Sequence, residues 1–179
     1  MTRRGQTTID FAVGASIFLL SVAFILAFVP GMLEPFGTSL QEETVSADRI
    51  ATQISNDLLT AGDRPHLLDR TCTVAFFDSA ADDSACAFDN TQTLGDRFGL
   101  ESRQHLNVQI VGQDTDGDGT PERLCADADG HVDEETQVGT CASPFEVGET
   151  VPNETGSVVV ARRAVSVDGV RGTLLVRMW

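Results

Sequence analysis

The sequence predicts an α+β fold: an N-terminal transmembrane helix, an amphipathic helix, and then a small, mostly antiparallel β-sheet ectodomain with disulfides. Three observations lead to this class. Residues 11–29 form an uncharged apolar run, residues 38–62 repeat apolar side chains at helical spacing, and the pair Asp168-Gly169 separates two runs rich in β-formers. We justify these elements in chain order.

The apolar run has the length of a membrane-spanning helix. Its 19 residues carry no charge, and at about 1.5 Å per residue they cover the roughly 30 Å core of a bilayer. Arg3 and Arg4 precede the run, whereas the first cation after it is Arg49. Because cytoplasmic flanks are enriched in Lys and Arg, we expect a single-pass protein in the cell membrane. Its N-terminus would be cytoplasmic and its C-terminal part extracellular, with the lipid bilayer as a partner.

Charge separates the chain into two parts. The 179 residues have a formal net charge of -15, with no Lys and no Tyr. Residues 1–37 are neutral overall, so residues 38–179 carry the whole excess, 25 acids against 10 Arg. A chain this acidic repels phosphate backbones, which argues against nucleic acid as a partner. The same excess of acids indicates adaptation to high salt, as in halophilic organisms.

A cleaved secretory signal is the main alternative for the apolar run. The run is longer than the roughly 7–15 apolar residues of a signal peptide, and no small-x-small cleavage site follows it. A twin-arginine signal usually has apolar residues after the arginine pair, where Gly5, Gln6 and Thr7 stand here. A retained anchor is therefore favoured over both signals.

The residues just before the run carry the most specific motif. Residues 3–10, RRGQTTID, resemble the class III signal of archaeal (haloarchaeal) type IV prepilins. The resemblance implies that a prepilin peptidase removes residues 1–5, with Gly5 the last residue cut off and Gln6 the first residue of the mature chain. It also implies other pilin-like subunits as partners.

The resemblance places Asp10 at the fifth mature position, where type IV pilins usually have an acidic residue. An ionisable group at the mouth of a transmembrane helix is costly in hydrocarbon and calls for a partner. The new amino terminus of Gln6, or that of a neighbouring subunit, could supply one. Alternatively, Asp10 lies at the interface and is favoured by the helix dipole, while Arg3 and Arg4 serve topology only.

The positions of the apolar, Pro and Gly residues divide the chain into five predicted segments. After a leader at 1–5 and a transmembrane helix at 6–30, four Pro and Gly residues predict a break at 31–37, because proline lacks an amide proton. An amphipathic helix over 38–62 follows, capped by Thr38 or Ser39. Residues 63–179 form the acidic extracellular β-rich domain. The helix stripe consists of Leu40, Val45, Ala47, Ile50, Ala51, Ile54, Leu58 and Leu59.

Strand signals begin after Gly62. Residues 71–77 are rich in β-formers, and residues 106–111 include apolar side chains in alternation. Residues 157–167 and 170–179 flank Asp168-Gly169, a two-residue hairpin signal. We expect the apolar face of this hairpin to cover the amphipathic helix.

Four cysteines, Cys72, Cys86, Cys125 and Cys141, all lie in the part predicted to be outside. An even number in an oxidising compartment favours disulfides over metal thiolates. Four cysteines allow three pairings, among which pairing between sequence neighbours would staple two acidic loops.

Residues 114–122, DTDGDGTPE, resemble the first half of an EF-hand calcium loop. The resemblance implies Asp114, Asp116 and Asp118 as the first ligands of Ca²⁺, with a carbonyl from Thr120. It fails at the twelfth position, where Cys125 replaces the bidentate glutamate. Two interpretations remain: a weak structural calcium site, or a solvated acidic turn.

No catalytic pattern stands out in the sequence. The three histidines are scattered, with no metalloprotease motif, nucleophile elbow or phosphate loop, so we do not expect an enzyme. The first functional hypothesis is a membrane-anchored, pilin-like surface subunit of a halophilic archaeon. The alternative is a single-pass surface module that does not assemble and that binds a ligand through its disulfide-stapled head. In the calcium interpretation of residues 114–122, Ca²⁺ stabilises this head. A secreted hydrolase would depend on the signal-peptide interpretation.

Overall fold

The computed structural model describes residues 6–33, 38–152 and 158–179, and it describes their side chains outside 6–8, 29–33 and 38–41. The predicted leader, with Arg3, Arg4 and Gly5, lies outside the described residues. The chain divides into two compact units, Met1–Ser39 and Leu40–Trp179. We call the second unit the head and describe each unit by itself.

The first unit contains helix α1, Gln6–Leu33. Its stretch Ile9–Phe28 has a mean hydropathy of 2.5 and is long and apolar enough to cross a membrane. The helix passes residue 30, its predicted end, and reaches Leu33, so the predicted break at 31–37 begins too early. A proline removes only its own amide hydrogen bond, and apolar helices tolerate one when their other bonds persist. Residues 34–37 lie outside the described residues.

Helix α2 spans Thr38–Gln53 and continues as a π-helical turn over Ile54–Leu58. It therefore ends four residues before the predicted end at 62. The reason is a competing pairing: Thr60 forms an isolated β-bridge with Leu68, and the Asp69 amide donates to the Leu59 carbonyl at 2.7 Å. The Leu59 amide still donates to the Ile54 carbonyl of the helix, but the backbone beyond that amide is bonded to the strand Leu67–Leu68 and to Asp69, which follows it.

The apolar stripe of α2 packs into the core of the head. Ala47, Ile50, Ala51 and Ile54 are fully buried, as predicted from their spacing. Val45 was predicted to belong to the same stripe, but its side chain is 69% exposed. The packed part of the stripe therefore begins at Ala47 among the side chains that the structure describes.

The head contains two β-sheets. The larger has five strands in the order β1-β7-β8-β2-β6, and the smaller has three in the order β4-β3-β5. Only β1 pairs in parallel among the described strands, so the predicted α+β class with a mostly antiparallel sheet is confirmed. The strands are β1 Leu67–Leu68, β2 Leu106–Val111, β3 Leu124–Ala126, β4 Val132–Glu134, β5 Ser143–Pro144, β6 Glu146–Gly148, β7 Val159–Val167 and β8 Val170–Met178.

The predicted hairpin is the centre of the larger sheet. Strands β7 and β8 pair along their whole length around Asp168 and Gly169, whose φ angles are +51° and +89°. Two consecutive positive φ values are what a tight hairpin turn requires, and Asp-Gly supplies them at low cost. One face of the hairpin lies in the same core cluster as α2. Arg163 on that face donates to Asp48 of α2 at 2.6 Å.

Residues 71–77 form a helix, and the strand predicted there is wrong. Helix α3 covers Arg70–Phe77, with Asp69 as its N-cap: the Asp69 carboxylate accepts from the Cys72 amide at 2.9 Å. This cap stabilises the first turn, and burial of Thr73, Ala75 and Phe76 stabilises the rest. A second short helix, α4, covers Leu94–Phe98.

Each of the two disulfides joins a cysteine to the next cysteine along the chain. Cys72 of α3 is bonded to Cys86, and Cys125 of β3 is bonded to Cys141. The Cα atoms of the two pairs are 5.5 and 5.7 Å apart, within the usual range for a disulfide. Each bridge closes a loop that carries acidic side chains, and this pairing is one of the three that the sequence left open.

Candidate functional sites: the apolar helix and the acidic loop

Helix α1 presents a continuous apolar surface. None of the candidate span Ile9–Phe28 is buried. Except for Val22, which is partly exposed, its large apolar side chains are more than half exposed, from 53% at Val13 to 77% at Phe11. An exposed apolar surface of this extent marks a membrane or protein contact. The surface therefore requires either lipid or other helices around it.

Polar groups within α1 are few and are bonded locally. Ser16 donates from its hydroxyl to the Ala12 carbonyl at 2.7 Å, and Ser21 donates to the Ile17 carbonyl at 2.9 Å. Such bonds satisfy hydroxyl groups that would be costly to leave unpaired in hydrocarbon. The composition and the bonding of the helix are both compatible with a lipid environment.

Asp10 is the one charged residue in α1. It lies four residues after Gln6, the first residue that the structure describes, and its side chain is exposed. A carboxylate near a helix N-terminus is favoured by the macrodipole. Gln6 and Asp10 thus lie one helical turn apart, while Arg3, Arg4 and Gly5 remain outside the described residues.

The acidic loop lies between strands β2 and β3. Carboxylate oxygens of Asp114, Asp116 and Glu122 all lie within 4.8 Å of one another, so that the three side chains could hold a metal ion. Hard oxygen ligands of this kind suit Ca²⁺. The loop therefore brings three carboxylates from both of its ends close together.

Backbone amides orient the first of these carboxylates. Asp114 accepts from the Gly117 amide at 2.7 Å and from the Gly119 amide at 2.9 Å. Both glycines have positive φ, +79° and +90°, a conformation that side chains disfavour. The two glycines therefore let the backbone wrap around Asp114.

Glu122 closes the loop from the other side. Its carboxylate accepts from the hydroxyl of Thr115, from the hydroxyl of Thr136 at 2.7 Å, and from the amides of Thr115 and Asp116 at 2.9 and 3.0 Å. These bonds, above all those from the two hydroxyls, lower the pKa of Glu122 below its ordinary value. Glu122 is therefore a carboxylate at neutral pH, as a cation ligand must be.

The cluster differs from the predicted ligand set at Asp118. Asp118 is not part of the group; instead its carboxylate accepts from the hydroxyl and the amide of Thr120, and these bonds lower the pKa of Asp118. Cys125 at the twelfth loop position is bonded to Cys141 and cannot act as a ligand. Glu122 takes the role that the sequence pattern assigned to Asp118.

Two ion pairs of Arg123 attach the end of the loop to both sheets. Arg123 follows Glu122 and donates to Glu135 at 2.9 Å and to Glu146 of β6 at 2.7 Å. Next along the chain, Leu124 is fully buried in the core. The base of the acidic loop is thus held by ion pairs, a core residue and the disulfide of Cys125.

The three histidines lie apart from the acidic cluster. His105 contacts Glu149 at 2.7 Å through Nδ1 and stacks on Trp179 with ring centroids 5.8 Å apart. His66 takes a positive φ in the turn before β1, and His131 lies in the turn before β4. Each occupies a separate turn or sheet end in the described part of the chain.

Comparison with known proteins identifies a family for the chain but gives no information about its activity. No curated protein and no solved structure matches the chain. One family matches residues 2–179, a range that includes both the apolar helix and the head. The chain therefore belongs to the family described as "Family of unknown function (DUF7287)".

Proposed function

We propose that the chain is a membrane-anchored, pilin-like structural subunit of the cell surface of a halophilic archaeon. The observation that carries the proposal is the position of Asp10: it is the sole charge in the described helix α1 and directly precedes the apolar run. Gln6, four residues before Asp10, is the residue that would become the mature N-terminus. In this proposal a prepilin peptidase removes residues 1–5.

The surface of α1 supports assembly through helix contacts. Lipid tails satisfy an apolar surface as well as another helix does, so association in a membrane depends on close packing and on polar contacts. Asp10 offers such a contact at the end of the helix. The amino group of Gln6 in a neighbouring subunit is its proposed partner, because an unpaired charge at the mouth of the helix is costly.

The head supports an extracellular location. It contains both disulfides, which persist in oxidising compartments. Residues 38–179 carry the whole net charge of -15. A strongly acidic surface keeps a protein soluble in concentrated salt. A cytoplasmic N-terminus with Arg3 and Arg4 and an external acidic head agree with this arrangement.

Replacing Asp10 with asparagine tests the assembly function. If the Asp10 carboxylate pairs with a neighbouring amino terminus, D10N should retain membrane insertion and lose most of the surface assemblies seen by electron microscopy. Glu at the same position should restore them, because it keeps the charge. Wild-type assembly by D10N, with equal protein at the surface, would contradict the proposed role of Asp10.

A second candidate function is a non-assembling surface module whose head is stabilised by Ca²⁺. The observation that favours it is the cluster of Asp114, Asp116 and Glu122 within 4.8 Å. External calcium modules bind with dissociation constants of about 10⁻⁴ to 10⁻³ M. At ten times the dissociation constant, binding would stabilise the head by about 1.4 kcal/mol.

Asp116 and Asp118 provide a matched pair of variants for the calcium test. Asp116 belongs to the cluster and Asp118 does not, and Asn at either position can still accept the turn hydrogen bond. We expect millimolar Ca²⁺ to raise the melting temperature of the wild type and of D118N by about 2–6 °C, and that of D116N much less. Thermal unfolding with EDTA or Ca²⁺ at constant ionic strength measures this. Equal shifts in all three proteins, or no shift in the wild type, would show that the loop is only an acidic turn.

A further inference from the structure

The five-stranded sheet has one face turned away from the core. Residues paired directly across an antiparallel sheet project to the same side, and Arg162 pairs with Leu175 while Ser166 pairs with Arg171. Alternation along each strand places Arg177 on that side as well. We call this side of β7 and β8 the outer face; it consists of Val160, Arg162, Ala164, Ser166, Arg171, Thr173, Leu175 and Arg177.

The arginines of the outer face form no ion pair among the described residues, although Arg177 lies close enough to Glu146 of β6 for the two charges to interact. Within the part of the chain that the structure describes, no carboxylate lies within ion-pair distance of Arg162, Arg171 or Arg177. Arg177 donates instead to the amide oxygens of Asn107 and Gln109, at 3.0 and 2.8 Å. The outer face is therefore cationic in a chain whose net charge is -15.

Arginines elsewhere in the head are paired where they hold the fold together. Arg163, on the opposite side of β7, bonds Asp48 of α2, and Arg123 bonds both Glu135 and Glu146. Glu146 lies on the strand at the edge of the same sheet, yet its ion pair is with Arg123. Arg49, Arg64 and Arg97 also lack an ion pair within the described residues. What distinguishes the outer face is that its three unpaired arginines lie on one side of a single hairpin.

The outer face also has the size and composition of a small contact surface. Its two nine-residue strands cover about 30 Å by about 10 Å. Val160 is 41% exposed at its edge, and arginine beside aliphatic side chains is typical of interfaces. An area of this size is below that of a stable free dimer, so the contact requires partners that are already held close together.

We propose that the outer face binds the acidic segment 114–135 of a second copy of this chain. That segment has nine acidic residues and a single arginine, Arg123, so its charge complements the outer face. Carboxylates are the preferred partners of guanidinium groups, because two parallel hydrogen bonds can form. This inference rests on the proposed assembly function, since membrane anchoring supplies the high local concentration that a small contact needs.

A contact between two different surfaces has a geometric consequence. Each copy offers an outer face to one neighbour and an acidic segment to another, which makes the interface heterologous. Heterologous contacts that do not close into a ring continue as open chains. The heads would thereby add a second, lateral link to the helix contacts made by α1.

Charge exchange between the two surfaces tests this inference on the full-length chain. One variant, Arg162→Glu/Arg171→Glu, makes the outer face acidic; another, Asp116→Arg/Asp118→Arg, reverses charges in the acidic segment. Each variant alone should weaken the attraction between the two surfaces. In a mixture, the acidic outer face of one variant can meet the arginine-bearing segment of the other. We expect energy transfer between C-terminally labelled copies in vesicles to fall at least twofold for each variant alone and to return to the wild-type level in the mixture.

Three controls make the outcome decisive. Arg64→Glu/Arg103→Glu changes the net charge by the same amount and sign as the outer-face variant, at positions outside the strands, and should leave transfer unchanged. Circular dichroism confirms that each variant is folded. Wild-type transfer by either variant alone, or no recovery in the mixture, would overturn the head contact. If D10N leaves transfer unchanged while the mixture still recovers, the helix contact of the proposed function fails and the head contact stands.

Discussion

Replacing Phe145 with alanine is expected to lower the free energy of unfolding of the head by about 3–5 kcal/mol. Phe145 is fully buried and stacks on Phe77 of α3, with ring centroids 5.1 Å apart. Its backbone also joins the two sheets, because its amide donates to Leu124 at 2.9 Å and its carbonyl accepts from Ile110 at 3.0 Å. Removing the ring leaves a cavity at the junction of both sheets and α3.

Denaturant unfolding followed by circular dichroism measures this loss. Phe145→Leu should cost less, because it fills part of the cavity. Val160→Ala is the surface control, since Val160 is 41% exposed and such substitutions change stability by about 0.5 kcal/mol or less. An F145A head as stable as the wild type would contradict the position of Phe145 in the core.

Removing the disulfide between Cys125 and Cys141 is expected to cost about 3 kcal/mol. The bridge closes a loop with a sequence separation of 16, and its loss increases the conformational entropy of the unfolded chain. Cys125→Ala/Cys141→Ala is the appropriate variant, because Cys125 is fully buried and serine there would bury an unpaired hydroxyl.

Unfolding of this double variant under oxidising conditions measures the loss. Adding a reductant should destabilise the wild type by more than it destabilises the variant, which retains only the bridge between Cys72 and Cys86. If the variant unfolds at the wild-type denaturant concentration and mass spectrometry finds free thiols in the wild type, the bridge does not form.

Elements specified by local residue chemistry could be predicted from the sequence. The turn at Asp168-Gly169 requires two positive φ values, and Asp-Gly is among the few pairs that provide them. The buried stripe at Ala47, Ile50 and Ile54 follows from helical periodicity. In both cases the determining residues are neighbours along the chain.

Elements decided by distant contacts were predicted less well. Residues 71–77 have strand-forming composition, yet burial in the core, at Phe76 above all, stabilises a helix there in addition to the local cap from Asp69. The end of α2 is set by pairing of Thr60 with Leu68, which periodicity cannot reveal. Tertiary context overrides local propensity at both places.

In the acidic cluster, the residues that are close in sequence could also be predicted, whereas the residue that the fold brings in could not. The spacing of Asp114 and Asp116 indicated a shared site, and both are members of the cluster. Glu122 was not assigned as a ligand, because it enters the cluster only after the chain turns back toward β3. Asp118 was assigned, but hydrogen bonds from Thr120 occupy its carboxylate. The bonding of Glu122 to Thr115 and Thr136 could be seen only in the folded loop.

The N-terminal residue of the chain isolated from membranes tests the central proposal most directly. Intact-mass analysis of the wild type should give a chain that begins at Gln6, and Gly5→Leu should remain uncut because a bulky residue blocks the processing site. An uncleaved chain retaining Arg3 and Arg4 would contradict pilin-like maturation and favour the non-assembling module. A start beyond Pro30 would contradict both proposals, because the anchor itself would have been removed.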